Sequence, residues 1–425
     1  MTASLYACES EPDHPAAEGD LGAGAGKDLS TVDHLLEVAA RLRPTLLAAQ
    51  AEHEALGGYA EAIHKQLLDA GFYRMLQPKR YGGLEFSLED FLRVGIEISR
   101  GDPGVGWSFI LGAGHTWHVA SFFPEQAQRE LFASDLIAPG RTIPRGRAVR
   151  TADGYQLAGT WDYCSGSMWS THAMLVAPTF TADDQALGLR VFIVPRCDYE
   201  ILDDWGGDRT IGMRASSSNS LRVEAALIPE HLSVVYDFKD HTLGEHGTIG
   251  YQLHGNPMYL GRTIAFFNCE LVATQVGAAW AAFDVFDQLM AGRPASFPPV
   301  IPRTESAEYH RWYGKLLAQI DAAETLLLAA MRQYTELGRR WERTRQEFTP
   351  EEDARLRGVI LQGAQLANEA VDLAFATAGS SAARLGSPME KYYRDVAMFK
   401  THIAAKWDVT YGSVSRYHFG QPLTF

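Results

Sequence analysis

Three runs of apolar residues at helical spacing, 259–290, 304–345 and 350–377, dominate the C-terminal part of the chain. Each holds an apolar stripe over many turns, well beyond the about 10–14 residues of an average helix. The third opens on Thr349-Pro350-Glu351-Glu352, a capping box with proline at the first helical position. Antiparallel helices of this length bury wide apolar faces against one another. The pattern predicts a four-helix bundle, and such bundles pair further into oligomers. A homotetramer is expected, with a dimer as the alternative.

The segments before the bundle change grammar twice. Residues 1–28 are rich in Ala, Gly, Glu, Asp and Pro without periodicity and read as a flexible leader. Its Gly22–Lys27 run fails the GxxxxGK[ST] spacing and follows no strand. From Ser30, which with Asp33 resembles an N-cap pair, Leu35, Leu36, Val38, Ala39 and Leu42 recur at helical spacing. A second helix spans about 58–70 and stops at Gly71. A third opens at Ser87, and the apolar stretch 105–123 reads as a buried helix. Between about 139 and 235 the residues turn β-rich. Asp153-Gly154 is a hairpin signal between Arg147–Thr151 and Tyr155–Ala158, and short strands follow at Ala173–Ala177, Leu189–Val194, Tyr199–Leu202 and Leu221–Ala226. The expected organisation is α+β: leader 1–28, N-terminal α-helical domain 29–138, β-barrel or sandwich domain 139–240, and four-helix-bundle domain 241–425.

Composition narrows the function. The formal charge of −14 disfavours a nucleic-acid or anionic-membrane surface. No apolar run approaches the ~20 residues of a membrane span. Cys8, Cys164, Cys197 and Cys269 are scattered without CxxC spacing, so neither a disulfide framework nor a zinc ribbon is expected. No signal-peptide pattern opens the chain, which reads as soluble and cytoplasmic. HExxH is absent, and outside the 1–28 leader Glu61 with His64 is a single Glu-x-x-His where a di-iron bundle needs two, so no metal is expected. No GxGxxG follows a strand, and βαβ alternation is missing, which argues against a nicotinamide site.

Four segments carry a family resemblance. Gly154 through Trp161-Asp-Tyr-Cys-Ser165-Gly166 resembles the flavin-contacting turn of the acyl-CoA dehydrogenase superfamily. Its Trp-x-x-x-Ser-Gly ending is closer to the two-component flavin monooxygenase branch, which includes 4-hydroxyphenylacetate, steroid-phenol and dibenzothiophene monooxygenases. Asp102–Trp107 through His115-Thr-Trp117-His118 is similar to that branch's Gly-Trp…His-x-Trp helix. Trp205 through Gly212-Met-Arg-Ala-Ser216 looks like its second flavin-side loop, and Ala378-Gly379 through Arg394-Asp395…His402 like its C-terminal signature.

Fold does not separate the superfamily's two chemistries, but one residue type does. A dehydrogenase needs a carboxylate to remove an α-proton. Family members carry it eight residues after the Asp of Arg-Asp, here Ile403, or about ten residues before a helix glycine, here Phe267 counted back from Gly277. Glu270 lies three residues on and points to another part of the helix face. The resemblance therefore implies an oxygenase, in which reduced FMN or FAD and O2 form a C4a-hydroperoxide that hydroxylates a phenol or oxygenates an N- or S-bearing small molecule. It implies Ser165 as the hydroxyl beside flavin N5, with Ser167 as second candidate, and His402 and His115 as catalytic imidazoles. Trp161, Gly166 and Trp205 are expected at the flavin, and His115 and Trp117 at the substrate. Taken as a set, Trp107, Trp117 and Trp161 also suit core packing, and Arg394 and Asp395 suit a helix-end ion pair ordering the last loop. Asn268, where arginine is common, leans towards a loosely held flavin. Electrons are expected from a separate NAD(P)H:flavin reductase. The alternatives are a dehydrogenase with a relocated base such as Glu270, and a non-catalytic helical assembly protein.

Overall fold

The computed structural model describes residues 31–238, 241–295 and 298–421. The expected leader, with the Gly22–Lys27 run and Ser30, lies outside these residues. Helix α1 (Val32–Leu56) is capped by Thr31, whose hydroxyl accepts from the His34 N–H, one residue beyond the expected Ser30. Helices α2 (Glu61–Asp69), α3 (Leu88–Gly101), α4 (Pro103–Phe122) and α5 (Glu125–Leu131) follow. Ser87 caps α3, and the Asp102 side chain caps α4 by accepting from the Gly104 N–H. Helix α4 is apolar all round because it is buried all round.

The strands β1 (Gly140–Arg141), β2 (Arg147–Arg150), β3 (Gly154–Trp161), β4 (His172–Phe180), β5 (Ala186–Pro195), β6 (Glu200–Ile201), β7 (Leu221–Pro229) and β8 (Ser233–Val235) form one sheet. Its order is β6-β7-β3-β2-β4-β5-β8, with β1 parallel to β4. The Asp153-Gly154 turn joins β2 to β3 as a hairpin, with Arg150 opposite Tyr155.

Helices α6 (Ile249–His254), α7 (Thr263–Gly292), α8 (Ala307–Thr344), α9 (Pro350–Ala378), α10 (Pro388–Phe399) and α11 (Trp407–His418) complete the chain. Both halves of the capping box form: the Thr349 hydroxyl accepts from the Glu352 N–H, and the Glu352 carboxylate accepts from the Thr349 N–H at 3.0 Å. Helix α8 buries one stripe, including Leu316, Ile320, Ala323, Leu327 and Tyr334. Helix α7 packs on α8 and α9 on one side and on α3 and α4 on the other. A Cβ on Gly277 would stand 2.4 Å from the Ser99 Cβ, so this glycine sets the close approach of α7 to α3. Helices α10 and α11 pack on α9.

Candidate active site

Helix α4 presents one stripe, Trp107, Leu111 and His115, to a cavity of about 370 Å³ between the sheet and the C-terminal helices. Residues four apart share a helix face, so one turn of α4 after another feeds the same wall. The opposite walls come from the turn after β3, which brings Tyr163 and Ser165, from the loop before β7, which brings Met213, Ser216 and Ser218, and from the end of α10, which brings Phe399 and His402. The turn after β3 and the loop before β7 are held in unusual backbone shapes. Tyr163, Met213 and Ser217 all have left-handed φ, between 49° and 59°, a strain that clusters where side chains must be aimed. Gly166, with φ 91°, donates its N–H to the carbonyls of Ser216 and Ser217 and locks the two segments together; a Cβ there would meet the Ser108 carbonyl oxygen at 2.7 Å.

Ser165 sits in a row of hydroxyls. The Trp107 Nε1–H donates to Ser165 Oγ at 2.9 Å, Ser165 Oγ lies 2.7 Å from Ser218 Oγ, and Ser218 Oγ lies 2.6 Å from Ser216 Oγ. An indole can only donate, so Ser165 must accept there and keeps its own proton and a second lone pair for Ser218 or a ligand. His402 stands beside Trp107, with ring centroids 5.7 Å apart.

The two imidazoles carry opposite hydrogen-bond polarity. His402 Nδ1 accepts the Ala404 N–H at 3.1 Å, so the neutral ring is protonated on Nε2, a donor. His115 Nδ1 lies 2.6 Å from the Ala138 carbonyl and must donate to it, which leaves Nε2 as an acceptor. Burial lowers both to a pKa of about 4, with Arg141 adding to the effect on His402, so both rings are neutral around pH 7.

Both positions where the family's dehydrogenases carry their base, Phe267 and Ile403, line this cavity with apolar side chains. Phe267 packs edge-on to His115 at 4.9 Å between ring centroids. Glu270 does not line it. Its carboxyl is fully buried against Gly114, meets no hydrogen-bond partner among the described residues, and is pushed well above the usual carboxylate range by burial. The unfolded chain ionises this group above about pH 4.5 while the folded chain keeps it neutral, so its burial costs stability increasingly as pH rises. Glu270→Gln should therefore melt at least about 2 °C above the parent at pH 8, with the gap closing by pH 4. A variant that melts lower at pH 8 would show that the carboxyl is not neutral in place.

Several sequence expectations are redrawn. Trp161 does not reach the cavity: its ring is fully buried and its Nε1–H donates to the Val176 carbonyl inside the sheet. Trp117 is likewise core, donating to the Met258 carbonyl and packed on Phe266 at 5.0 Å, because it lies two residues past His115, round the far side of α4. Ser167 spends its hydroxyl on the Ser217 carbonyl at 2.8 Å, and Gly166 acts through its backbone. Arg394 pairs with Glu54 and Glu390, whereas Asp395 accepts from Lys391 and from the Met213 N–H, so these neighbours hold different elements. Ser165, His115, His402 and Trp205 do share the cavity. Missed were Arg141, Met213 and Ser218. The 216–218 run of serines was the available signal.

Residues 36–138 match the acyl-CoA dehydrogenase N-terminal domain family, and residues 270–407 the acyl-CoA dehydrogenase C-terminal domain family. The chain is 31% identical to a pigment production hydroxylase of Rhodococcus sp. over 84% of its length and 89% of the relative. It is 26% identical to the oxygenase subunit HsaA of a flavin-dependent monooxygenase from Rhodococcus jostii, covering 90% of this chain and 97% of that one. Its fold is similar to that of XiaF from Streptomyces sp. in complex with FADH2 and glycerol, with a TM-score of 0.82, 24% identity, and coverage of 93% of this chain and 97% of that chain.

Proposed function

The chain belongs to the oxygenase components of flavin-dependent monooxygenases within the acyl-CoA dehydrogenase superfamily, and we propose that it oxygenates an aromatic, chiefly phenolic, small molecule in the cleft around Ser165, His115 and His402. Hydroxylation of a phenol is favoured over oxygenation at nitrogen or sulfur because of the paired imidazoles. A phenolic O–H can donate to His115 Nε2, which draws its proton away and makes the ring electron-rich. His402 Nε2–H then supplies a hydrogen bond to the developing oxygen charge on the other side.

The residues present suit a flavin. A row of three serine hydroxyls, one of them fixed by an indole donor, faces the cavity beside Trp205 and Phe399, and Ser165, Ser216, Ser218 and Trp205 would hold the flat ring. Reduced flavin, FMN or FAD, supplies the two electrons with which O2 is activated. The buried apolar side chains of Phe267 and Leu271 limit bulk water around the reacting atoms.

One observation carries the reading: the two positions that would hold a proton-abstracting carboxylate are Phe267 and Ile403. The test combines the protein with a separate NAD(P)H:flavin reductase, FMN or FAD, labelled O2 and a panel of phenols. One labelled oxygen atom per product is expected. Anaerobic bleaching of bound oxidised flavin by substrate would overturn the oxygenase reading.

The open groove between α8, α9 and α11, with Val359 and Phe419 exposed at its surface, offers apolar surface that association into a homotetramer would cover. Light scattering should give four times the 46.9 kDa chain mass. Among the described residues no helix is long and apolar enough to cross a membrane; we place the protein in the cytoplasm.

A further inference from the structure

Among the described residues that line the cleft, Arg141 is the one with a permanent charge. It ends β1, and its side chain is largely buried, 16% exposed. Its guanidinium lies over the Tyr163 ring at 5.7 Å. The nearest counter-charge is incomplete. Arg141 Nε stands 3.5 Å from Asp162 Oδ1, without a hydrogen bond between them, and the same carboxylate oxygen also faces Arg145 Nε at 3.9 Å. Two guanidiniums thus share one carboxylate, and a net positive charge remains at the wall of a cleft whose other lining groups are neutral. A partly desolvated cation of this kind strongly favours an anion that can meet it with paired hydrogen bonds.

The position of the charge says which molecule brings that anion. Arg141 adjoins both imidazoles as well as the Tyr163 turn: the His115 ring lies against its neighbour Gly140, where a Cβ would come within 2.6 Å, and the Arg141 charge is felt at His402. We propose that Arg141 is a specificity-determining residue that binds a carboxylate on the substrate, so that the protein acts on an aromatic acid whose reacting ring lies between His115 and His402. This rests on the oxygenase reading for the reacting ring and deepens it by naming the substrate class.

The test is anaerobic binding in the presence of reduced flavin, followed by calorimetry, with matched acid and amide probes: 4-hydroxyphenylacetate against 4-hydroxyphenylacetamide, and indole-3-acetate against indole-3-acetamide. The parent should bind the acid of a pair at least about 10-fold more tightly than the amide, the size expected for a charge-assisted hydrogen bond. Arg141→Gln should lose that margin while its amide affinity stays within about twofold, and Arg141→Lys should keep part of it. Equal binding of acid and amide by the parent, or binding of neither, overturns the proposal. So does an Arg141→Gln variant that weakens both probes equally, or only reduced flavin. Because binding is read without O2, absence of labelled oxygen from product would strike the oxygenase reading and leave an acid preference standing.

Discussion

Lys391→Met should destabilise the protein by about 3–5 kcal/mol, the range for removing one partner of a buried ion cluster. Lys391 Nζ donates to Asp102 Oδ1 at 2.9 Å and to Asp395 Oδ2 at 2.7 Å, and all three side chains are at most 6% exposed. Burial opposes the ammonium, but the two carboxylates more than offset it and raise the Lys391 pKa. Burial also raises Asp395, only partly countered by Lys391, whereas at Asp102 it is outweighed by Lys391 and His53, and the net shift is downward. In the parent the Lys391 contribution is fully present below the ordinary lysine range near 10.5 and is lost only at higher pH. Without the ammonium, both carboxylates resist ionisation in the folded state but not in the unfolded one. The deficit should therefore be larger at pH 8 than at pH 5, measured from denaturant midpoints at the two pH values.

The same variant should disturb the cleft, because each carboxylate has a second task. Asp102 caps α4 through the Gly104 N–H, and Asp395 Oδ1 accepts the Met213 N–H at 2.6 Å, holding that residue in its left-handed shape. Trp205 Nε1–H donates to the Met213 carbonyl, so its fluorescence reports whether the loop has moved. Adding Asp395→Asn to Lys391→Met removes one uncompensated charge while keeping an acceptor for Met213, and should recover part of the loss. A Lys391→Met protein with the parent's midpoint at pH 8 and unchanged Trp205 emission would show that the cluster does not fasten the loop.

Much of this fold was legible because its local signals agree. Ser87, the Thr349–Glu352 box and the Asp153-Gly154 hairpin each mark a boundary by chemistry that acts within three or four residues. The cleft was legible only in part, and the failures have a common cause. Helix α4 is apolar on all sides, so periodicity could not say that Trp107, Leu111 and His115 face the cavity while Trp117 faces Phe266. In β3, the register shifts between Leu157 and Gly159, and alternation counted from the hairpin does not tell which side receives Trp161. Arg141 and Lys391 look like ordinary surface cations in the sequence. Their burial depends on partners such as Asp162 and Asp102, and the Lys391–Asp102 contact closes over 289 positions of chain, a separation that no local pattern encodes.

Ser165→Ala should uncouple oxygen use from product formation, lowering coupled turnover on the order of 10–100-fold, as expected for losing a hydrogen bond of about 1.5–3 kcal/mol to a charged or charge-developing partner. The variant removes the Oγ that accepts from Trp107 Nε1 and meets Ser218. The indole N–H is left without its acceptor, and the cleft loses the hydroxyl best fixed in direction. Oxygen consumption should persist, because electron delivery by reduced flavin does not pass through this side chain, and the oxygen should leave as hydrogen peroxide. Reduced-flavin affinity should change less than tenfold, since Ser216, Ser218 and the aromatic walls remain. Ser218→Ala is the informative comparison: it breaks the serine row but leaves Ser165 held by Trp107, so its uncoupling should be markedly smaller. Simultaneous oxygen-electrode and peroxide assays on the two variants separate the outcomes. If Ser165→Ala couples as the parent does, or if Ser218→Ala uncouples more strongly, the decisive hydroxyl is not Ser165, and the serine row merely holds the turn after β3 against the loop before β7.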